Sequence, residues 1–369
     1  MQVQNHLDEQ ITSSQKSKVA VIFTTPDTVI EDIERLMNLA NVEKYLFQTN
    51  PTLLKVNISW QHYFPACSTT PWQLEGVSKA LLNHGHSIKT AHNGTVVVNP
   101  REGAKNNKHS AVERKLGIEN IYLEEEEWIR YIPKSNMDVL DDVYPNGIFI
   151  PKVMIGKNIC HLPTLKTHVF TTITGAMKNA FGGLLGFERH KTHSVIHQTL
   201  VDLLKIQKEI HPGIFAVTDG TFAGDGPGPR ALDWKQKNIL IASSDQVAID
   251  AVSATLMGFD PMDIPFIRMA HEAGLGCGDI KELDIEGEDI TGINWKFSKS
   301  SNTFASWGQK LVYWGPLKPL EKIILNTPLV FLGILASNIF HNFYWLRFKG
   351  RKRINSALNT DWGKLFKKY

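Results

Sequence analysis

The chain has 369 residues, of which 42% are hydrophobic, and its formal net charge at pH 7 is +3. This length and apolar content are typical of a globular protein with a sizeable core, and they exclude a disordered chain. The net charge is too small, and the basic residues before the C-terminal tail are too evenly spread, to indicate a nucleic-acid partner.

The three cysteines, Cys67, Cys160 and Cys277, lie far apart in the sequence. Their spacing fits neither a zinc finger nor a ferredoxin-type cluster. An odd cysteine count without a leading apolar signal indicates a reducing, cytoplasmic setting. Residues 1–18 are polar, and we expect them to form a flexible tail.

Apolar runs with strand and helix periods predict an N-terminal α/β lobe over residues 19–150. Lys55 and Asn57 occupy alternate positions of one predicted strand, so their side chains point to the same face. That face is either part of a site or a solvated edge. Thr70 and Pro71 are typical of a helix start, because threonine caps free N–H groups and proline suits the first helical position.

Two further stretches of this lobe are polar. Residues 93–120 contain glycine and show no clear period, and the acidic run Glu124–Glu127 predicts a solvated face without a chemical role.

A C-terminal α/β lobe is predicted over residues 151–295, and its central stretch is His161 to Gly183. A strand, a turn and a helix are expected there, with Thr167 as the helix cap and glycines at the helix end. The free N–H groups at such a helix start, together with Lys166, Thr167 and His168, would attract an anion.

Lys178 and Asn179 lie near the end of the same predicted helix, where a lysine also stabilises the helix dipole without any ligand. On a continuous helix, Lys166 and Lys178 would be roughly 16 Å apart. We therefore expect that both do not contact one small phosphate.

Histidines and basic residues concentrate between residues 187 and 197. His193 and His197 are four positions apart and would share one helix face, as two metal ligands would. The alternative is that Arg189 and His193 contact an anion. The pattern leaves both interpretations open.

Residues 213–218 predict a buried strand that places Asp219 at its C-terminal end, where α/β proteins often position site residues. A flexible glycine-rich loop is expected next, with Gly224, Asp225 and Gly226 able to approach a ligand closely. An ordinary turn explains the same glycines. Neither a dinucleotide-binding fingerprint nor a P-loop occurs in the sequence.

Several motifs follow one another in a fixed order between about Lys55 and Gly287. They are Pro163-x-Leu165-Lys166-Thr167-His168, Met177-Lys178-Asn179-x-Phe181-Gly182, Val217-x-Asp219-Gly220, Gly224-x-Gly226-Pro227, Ser243-x-Asp245-x-Val247-Ala248-x-Asp250-Ala251 and Gly274-x-Gly276. Together they resemble the domain-of-unknown-function family 362.

The resemblance implies an α/β domain that is often fused to ferredoxin-type iron–sulfur modules, for which this chain lacks the cysteine pattern. It implies no particular reaction and no particular cofactor. Lys55 and Asn57 resemble a Lys-Pro-Asn motif of the family, with Val56 in place of the proline.

Residues 296–369 predict a helical extension that is apolar and basic. Residues 327–346 are long enough for a membrane span, but Asn338, His341 and Asn342 are costly in lipid. A membrane span, a helix at the membrane surface and a helix packed on the domain all remain open. Trp362 to Phe366 resemble an ending found in the family and favour an ordered extension.

The sequence thus predicts a two-lobed α/β protein with mostly parallel sheets flanked by helices and a C-terminal helical extension. Our leading hypothesis is an enzyme that acts by acid–base and electrostatic catalysis on an anionic, lipid-like small molecule bearing a carboxylate or phosphate. The predicted catalytic residues are Lys166, His168, His193 and Asp219. The predicted substrate-binding residues are Lys55, Asn57, Thr167, Lys178, Asn179, Arg189, Gly224, Asp225 and Gly226.

Two alternatives accompany this hypothesis. One is a metal-assisted enzyme whose ligands are histidines with Asp219 and Asp225. The other is a membrane-associated ligand-binding or assembly protein, which the C-terminal extension suggests.

Overall fold

The computed structural model describes residues 16–95, 98–298, 302–327 and 329–369, so most of the predicted tail 1–18 lies outside the described residues. Alternating apolar runs form its strands. These are β1 Lys18–Phe23, β2 Thr52–Val56, β3 Ile88–His92, β4 Asn120–Tyr122, β5 Trp128–Tyr131, β6 Ile148–Pro151, β7 Asn158–Leu162, β8 Thr164–His168, β9 Thr172–Ile173, β10 Ile214–Asp225, β11 Asp233–Ser243 and β12 Asp284–Gly287.

One mixed sheet contains ten of these strands. Its main path runs β12-β1-β11-β10-β7-β2-β3-β4, while β8 pairs with β10 and β9 pairs with β8. Strand β11 is antiparallel to both of its neighbours, and β9 is antiparallel to β8. The other pairs in the sheet are parallel. The predicted α/β class with mostly parallel strands is therefore confirmed.

Strands from both predicted lobes belong to this one sheet. Strand β1 lies between β12 and β11, and β7 lies between β10 and β2. The predicted boundary between residues 150 and 151 therefore separates strands that are hydrogen-bonded neighbours. Crossover connections bring distant segments side by side, which a pattern along the chain does not reveal.

Helices flank the sheet and form the C-terminal extension. The α-helices are α1 Val29–Leu39, α2 Val42–Tyr45, α3 Pro71–Asn83, α4 Pro100–Asn106, α5 His109–Leu116, α6 Leu140–Val143, α7 Gly175–Asn179, α8 Phe181–Leu184, α9 Ile196–Ile210, α10 Gln246–Met257, α11 Pro265–Glu272, α12 Phe304–Tyr313, α13 Glu321–Asn326, α14 Leu329–Asn338, α15 Arg351–Leu358 and α16 Asp361–Lys368. A π-helix, Ile339–Gly350, joins α14 to α15.

Short 3₁₀-helices connect several of these elements. They are Leu123–Glu125, Lys152–Met154, Phe187–Val195, Pro261–Asp263, Ile280–Glu282 and Lys318–Leu320.

The two faces of the sheet bury two separate apolar cores, because side chains alternate along each strand. The core that contains Leu53 packs mainly under α7 to α11, and we call this side of the sheet the Leu53 face. The core that contains Leu54 packs under α1 and α3, and we call it the Leu54 face. The site residues are distributed between these two faces.

Three local predictions differ from the structure. Residues 93–120, predicted without clear elements, contain α4 and α5. The expected glycine-rich loop after Asp219 is a continuation of β10 as far as Asp225. Thr167 does not cap a helix, since it lies within β8, and the helix begins only at Gly175. Pairing with neighbouring strands determined the structure at the last two positions.

The end of the C-terminal extension packs onto the Leu54 face. The Trp362 ring lies 4.9 Å from the Trp72 ring, and its Nε1 donates to Asn238 Oδ1 at 2.8 Å. Phe366 stacks on Tyr63 at 3.9 Å. The predicted ordered ending is therefore confirmed. Among the described residues, no helix combines the length and apolar character that crossing a membrane requires.

Candidate functional site

Basic side chains converge at the carboxyl edge of the parallel strands. Lys55 lies one residue before the end of β2 and is only 1% exposed. Its Nζ donates to Val56 O at 2.7 Å and lies 3.2 Å from His92 Nδ1 at the end of β3. Burial, followed by the charge of Arg189, lowers the pKa of Lys55 to about 7.

Lys166 in β8 is fully buried. Its Nζ donates to Cys67 O at 2.5 Å and to Ser59 Oγ at 3.2 Å. The same Ser59 hydroxyl donates to Asn57 Oδ1 at 2.9 Å, which connects Asn57 to this lysine. Burial lowers the pKa of Lys166 to about 8.

The short helix α7 connects the surroundings of the two lysines. At its start, Thr174 N donates to Lys166 O at 3.0 Å, and at its end Asn179 Nδ2 donates to Lys55 O at 2.7 Å. The carboxylate of Asp250 accepts from Ala176 N at 2.5 Å and holds the first turn. Helix α7 is therefore fixed to both strands, and its Lys178 lies near the charges of Lys166 and Arg189.

Lys178 is half-buried, and its Nζ lies 5.1 Å from the centre of the Phe181 ring. Burial lowers the pKa of Lys178 to about 7, and the charges of Lys166 and Arg189 lower it further. The expectation of a continuous helix between Lys166 and Lys178 is wrong, while the expectation that the two do not contact one small phosphate stays a prediction. The strand and hairpin of residues 164–173 replace the continuous helix on which that expectation depended.

Arg189 reaches the same region from the 3₁₀-helix over residues 187–195. It is 8% exposed, and Nη2 donates to Gly94 O. A methyl group added at Gly182 would lie 3.6 Å from both Arg189 Nη1 and Lys55 Nζ, so these two cations border the same glycine. Burial lowers the pKa of Arg189 to about 10, while the nearby Tyr144 and Glu124 oppose this shift.

We call Lys55, Lys166, Lys178 and Arg189 the basic cluster. Within the described part of the chain, none of the four forms an ion pair with a carboxylate. Burying several like charges without a counterion is unfavourable, because each ion loses hydration and repels the others. The burial that causes this cost also lowers the pKa values of the three lysines.

Two histidines border the cluster with opposite hydrogen-bonding capacity. Phe170 N donates to His168 Nδ1 at 3.2 Å, so the neutral ring has its proton on Nε2 and can donate from there. His193 Nδ1 lies 3.0 Å from His190 O and must donate to it, which leaves a lone pair on Nε2.

Both imidazoles are neutral at pH 7. Burial, followed by the charge of Lys178, lowers the pKa of His168 well below its usual value. Burial also lowers the pKa of His193 to about 4. The sequence suggested histidines that titrate near neutrality, but in this structure Lys55 and Lys178 occupy that range.

Aromatic side chains of the C-terminal extension cover this part of the site. The Tyr313 ring stacks on His193 at 5.7 Å with an angle of 9° between the planes. Trp314 Nε1 donates to Ser194 O at 2.9 Å, and its ring packs against Phe170 at 5.5 Å. This cover keeps water away from the histidines and so contributes to their low pKa values.

Asp219 lies on the Leu54 face, and its carboxylate forms no ion pair with the basic cluster within the described residues. Its carboxylate accepts from Thr70 Oγ1, from Trp72 Nε1 at 3.0 Å and from Thr221 N at 2.6 Å. Burial raises the pKa of Asp219, and these donors oppose the shift. None of the donors is a lysine or a histidine, so these contacts tie β10 to the start of α3.

Thr167 and the glycines hold β8 against β10. Thr167 Oγ1 donates to Gly226 O at 2.7 Å and lies 3.3 Å from Gly224 O. A methyl group at Gly224 would lie 3.0 Å from Lys166 Cβ, so glycine permits the close approach of the two strands. Asp225 Oδ1 accepts from Ser298 N at 2.7 Å. The contacts of Thr167 and Gly224 fix β8 against β10 and so help to position Lys166.

Two residues of the site, His92 and Asp250, were not among the predicted site residues. His92 ends β3 beside Lys55, and its buried Nε2 has no hydrogen-bond partner within the described residues. Asp250 holds the first turn of α7 although it lies 74 residues from Ala176. His92 could have been recognised from its position at the end of a predicted strand. By contrast, a helix cap supplied by a residue so far along the chain leaves no local sequence pattern.

A wide groove lies beside the basic cluster. It encloses about 970 Å³ and is lined by residues that include Trp128, Tyr144, Phe187, Val195 and Leu325. The lysines of the cluster do not line it. Residues 185–188, 191, 194 and 195 contribute to the lining of the groove, and Arg189 of the same segment belongs to the basic cluster.

Among the described residues, the groups able to share a metal ion are His271, Cys277 and Glu282, whose ligand atoms lie within 4.8 Å of one another. Gly278 N donates to His271 Nδ1 at 3.1 Å, so one ring nitrogen is already engaged. The geometry does not bring His193 and His197 together with Asp219 and Asp225 as one set of ligands.

Comparisons with known proteins give few matches. The thylakoid-associated protein sll1697 of Synechocystis sp. is 32% identical over 124 residues, which are 32% of this chain and 37% of that protein. The chain thus aligns with little more than a third of this curated relative. No solved structure is significantly similar. Residues 52–255, more than half of the chain, match the family described as domain of unknown function (DUF362), and the chain belongs to that family.

Proposed function

We propose that the basic cluster binds the carboxylate or phosphate of an anionic small molecule, and that the protein is an enzyme acting on it. The observation that supports this most is that Lys55, Lys166 and Arg189 are buried and Lys178 is half-buried without any carboxylate partner among the described residues. A bound anion would supply the missing negative charge, and charge-assisted hydrogen bonds in a desolvated site are strong.

The surrounding groups suit proton transfer. His168 Nε2–H is free to donate to an anionic oxygen, and His193 Nε2 has a free lone pair that can accept a proton. A bound anion would raise the pKa of His193 from about 4 towards neutrality. Lys178, with a pKa of about 7, is also suited to exchange a proton at physiological pH.

The pH dependence of sulfate binding tests this proposal, because sulfate stays a dianion throughout the range. Lys55 and Lys178 have pKa values of about 7 and Lys166 of about 8, so these lysines lose their protons as the pH rises from 6 to 9. Sulfate affinity measured by titration calorimetry should be highest near pH 6. Above pH 8 the sulfate affinity should fall by about tenfold per pH unit for each lysine proton that bound sulfate keeps in place.

Thermal stability provides a second readout with the opposite sign. A lysine whose folded pKa is lowered binds fewer protons in the native state than in the unfolded state. The unliganded protein should therefore become more stable as the pH rises from about 7 towards 10, whereas sulfate should stabilise the protein most near pH 6. A sulfate affinity that is constant from pH 6 to 9 would contradict the proposal.

We extend the proposal to a ligand with an apolar portion, which the adjacent groove supports. Trp128, Phe187 and Leu325 offer apolar surface there, and Tyr144 lies both in the groove and close to Arg189. Alkyl sulfates from ethyl to hexyl should bind about fourfold more tightly per methylene that enters the groove.

Phe187→Ser should remove this gain, whereas Ile132→Ser, at an exposed apolar residue elsewhere, should keep it. If affinity does not depend on alkyl length, the groove has no role in ligand binding.

A second candidate function is ligand binding at a membrane surface without catalysis. The name of the Synechocystis relative, a thylakoid-associated protein, favours this candidate. So does the apolar and basic character of residues 296–369. Liposome flotation of the full chain distinguishes a membrane-bound protein from one that remains in solution. The variants to compare in this experiment depend on which surface of the protein contacts the lipid.

A further inference from the structure

The helical run from Leu335 to Phe348 exposes a row of large apolar side chains. Leu335, Ile339, Phe343, Tyr344 and Phe348 each have between 51% and 69% of their surface exposed. Phe343 and Tyr344 are adjacent in the sequence, and the other residues of the row follow at intervals of four or five positions. Since the π-helix bonds residue i to residue i+5, such residues lie above one another on one side.

The other side of the same run is fixed to the domain. Trp345 is 6% exposed and packs with Trp60 and Phe64 at ring distances of 6.1 and 5.2 Å. Trp60 Nε1 donates to Asn342 Oδ1 at 2.7 Å. Asn342, whose amide would be unfavourable inside a lipid bilayer, thus faces the protein. The exposed row is therefore held in a fixed orientation.

Positive charge borders this row without compensation. The sequence contains no aspartate or glutamate between Glu321 and Asp361. Arg347, Lys349, Arg351 and Lys352 are exposed and form no ion pair within the described residues. Arg353, by contrast, turns inward and lies 3.6 Å from Asp233 Oδ1.

We propose that the row Leu335, Ile339, Phe343, Tyr344 and Phe348, together with the four exposed basic residues, is a surface that binds anionic lipid membranes. Apolar rings would enter the boundary between headgroups and acyl chains, and the cations would attract anionic headgroups. The proposal names the partner of the membrane association suggested above and does not depend on the basic cluster.

A lipid surface suits this face better than a second copy of the chain does. A symmetric dimer would bring the same surface of both copies together. Two acid-free basic segments would then face each other, and like charges across an interface oppose association. Anionic headgroups instead provide the opposite charge.

Flotation of the full-length protein with lipid vesicles tests the proposal. We expect binding to vesicles of phosphatidylcholine with phosphatidylglycerol, and much weaker binding to phosphatidylcholine alone or in high salt. Phe343→Ser with Phe348→Ser should lower partitioning at least tenfold. Lys349→Gln with Lys352→Gln should lower partitioning onto anionic vesicles by about 30-fold at low ionic strength.

Matched controls lie elsewhere on the surface. Ile132→Ser removes an exposed apolar side chain, and Lys281→Gln with Lys296→Gln removes two exposed charges. These variants should float like the wild type. The proposal is overturned if the wild type stays unbound, if the Phe343 and Phe348 variants float normally, or if those variants instead dissociate an oligomer in gel filtration. Sulfate affinity, measured separately, reports on the basic cluster whatever the flotation result.

Discussion

Lys178→Met should weaken sulfate binding by about 30-fold or more at pH 6.5, because it removes the one partly exposed cation of the basic cluster. The other three members are at most 8% exposed, and each already donates a hydrogen bond to the protein. Lys178 has no hydrogen-bond partner within the described residues, so its donors are available to a ligand. A charge-assisted hydrogen bond in a desolvated site is worth about 2 kcal/mol or more.

The same variant should keep the fold. Methionine preserves the length and apolar contacts of the Lys178 side chain, and it removes a cation that lies close to Lys166 and Arg189. We therefore expect the unfolding free energy of the unliganded protein to stay constant or to rise slightly. Lys208→Met, which removes an exposed charge from α9, is the matched control.

Titration calorimetry with sulfate and urea unfolding measure the two effects. In the variant, the decline of affinity with pH should also become shallower by one proton. A Lys178→Met protein that binds sulfate as tightly as the wild type would show that the ligand does not contact this lysine, and the proposed site would lose its central group.

Asp250→Ala should destabilise the protein by about 2–5 kcal/mol and should also weaken sulfate binding. The fully buried carboxyl group, whose pKa burial raises to about 8, accepts from Ala176 N at 2.5 Å and from Met177 N at 3.1 Å. Alanine would leave both N–H groups buried without an acceptor, and each costs about 1–3 kcal/mol. Helix α7 would lose its first turn, and Lys178 and Asn179 would lose their positions.

Two further variants separate this effect from a general loss of charge. Asp250→Asn retains one carbonyl oxygen as an acceptor, so its destabilisation should be about half as large. Asp260→Ala removes a carboxylate from the start of an exposed 3₁₀-helix, where Met262 N donates to it, and should cost about 1 kcal/mol. Urea unfolding with equal m-values would report these differences. Equal stability of Asp250→Ala and the wild type would contradict the role of Asp250.

Several elements could be predicted from the chain because their causes are local. The cap of α3 is an example, since Thr70 Oγ1 accepts from Gln73 N three residues later, as the Thr-Pro pair indicates. The β1 strand and the ordered packing of Trp362 also follow from patterns in adjacent residues. Lys55 at a strand end was identifiable in the same way.

Predictions that depended on distant partners did less well. Thr167 was expected to cap a helix, but pairing with β9 and β10 keeps residues 164–168 extended. Asp219 was expected to orient the catalytic base or a lysine, and the hydrogen-bond partners of its carboxylate are Thr70, Trp72 and Thr221. The histidines were expected to titrate near neutrality, but burial under Tyr313 and Trp314 prevents it.

The amino-acid sequence was enough to predict the α/β class, the resemblance to the family and the polar residues from which the candidate site is built. Contacts between distant segments bring the charges of Lys166 and Arg189 near Lys178, give Asp219 its partners Thr70 and Trp72, and place Asp250 at the start of α7, 74 residues from Ala176. The physical reason is that caps and periodic patterns act between neighbours along the chain. Strand order, register and burial, which set distances and pKa values, instead arise from contacts between segments far apart in sequence.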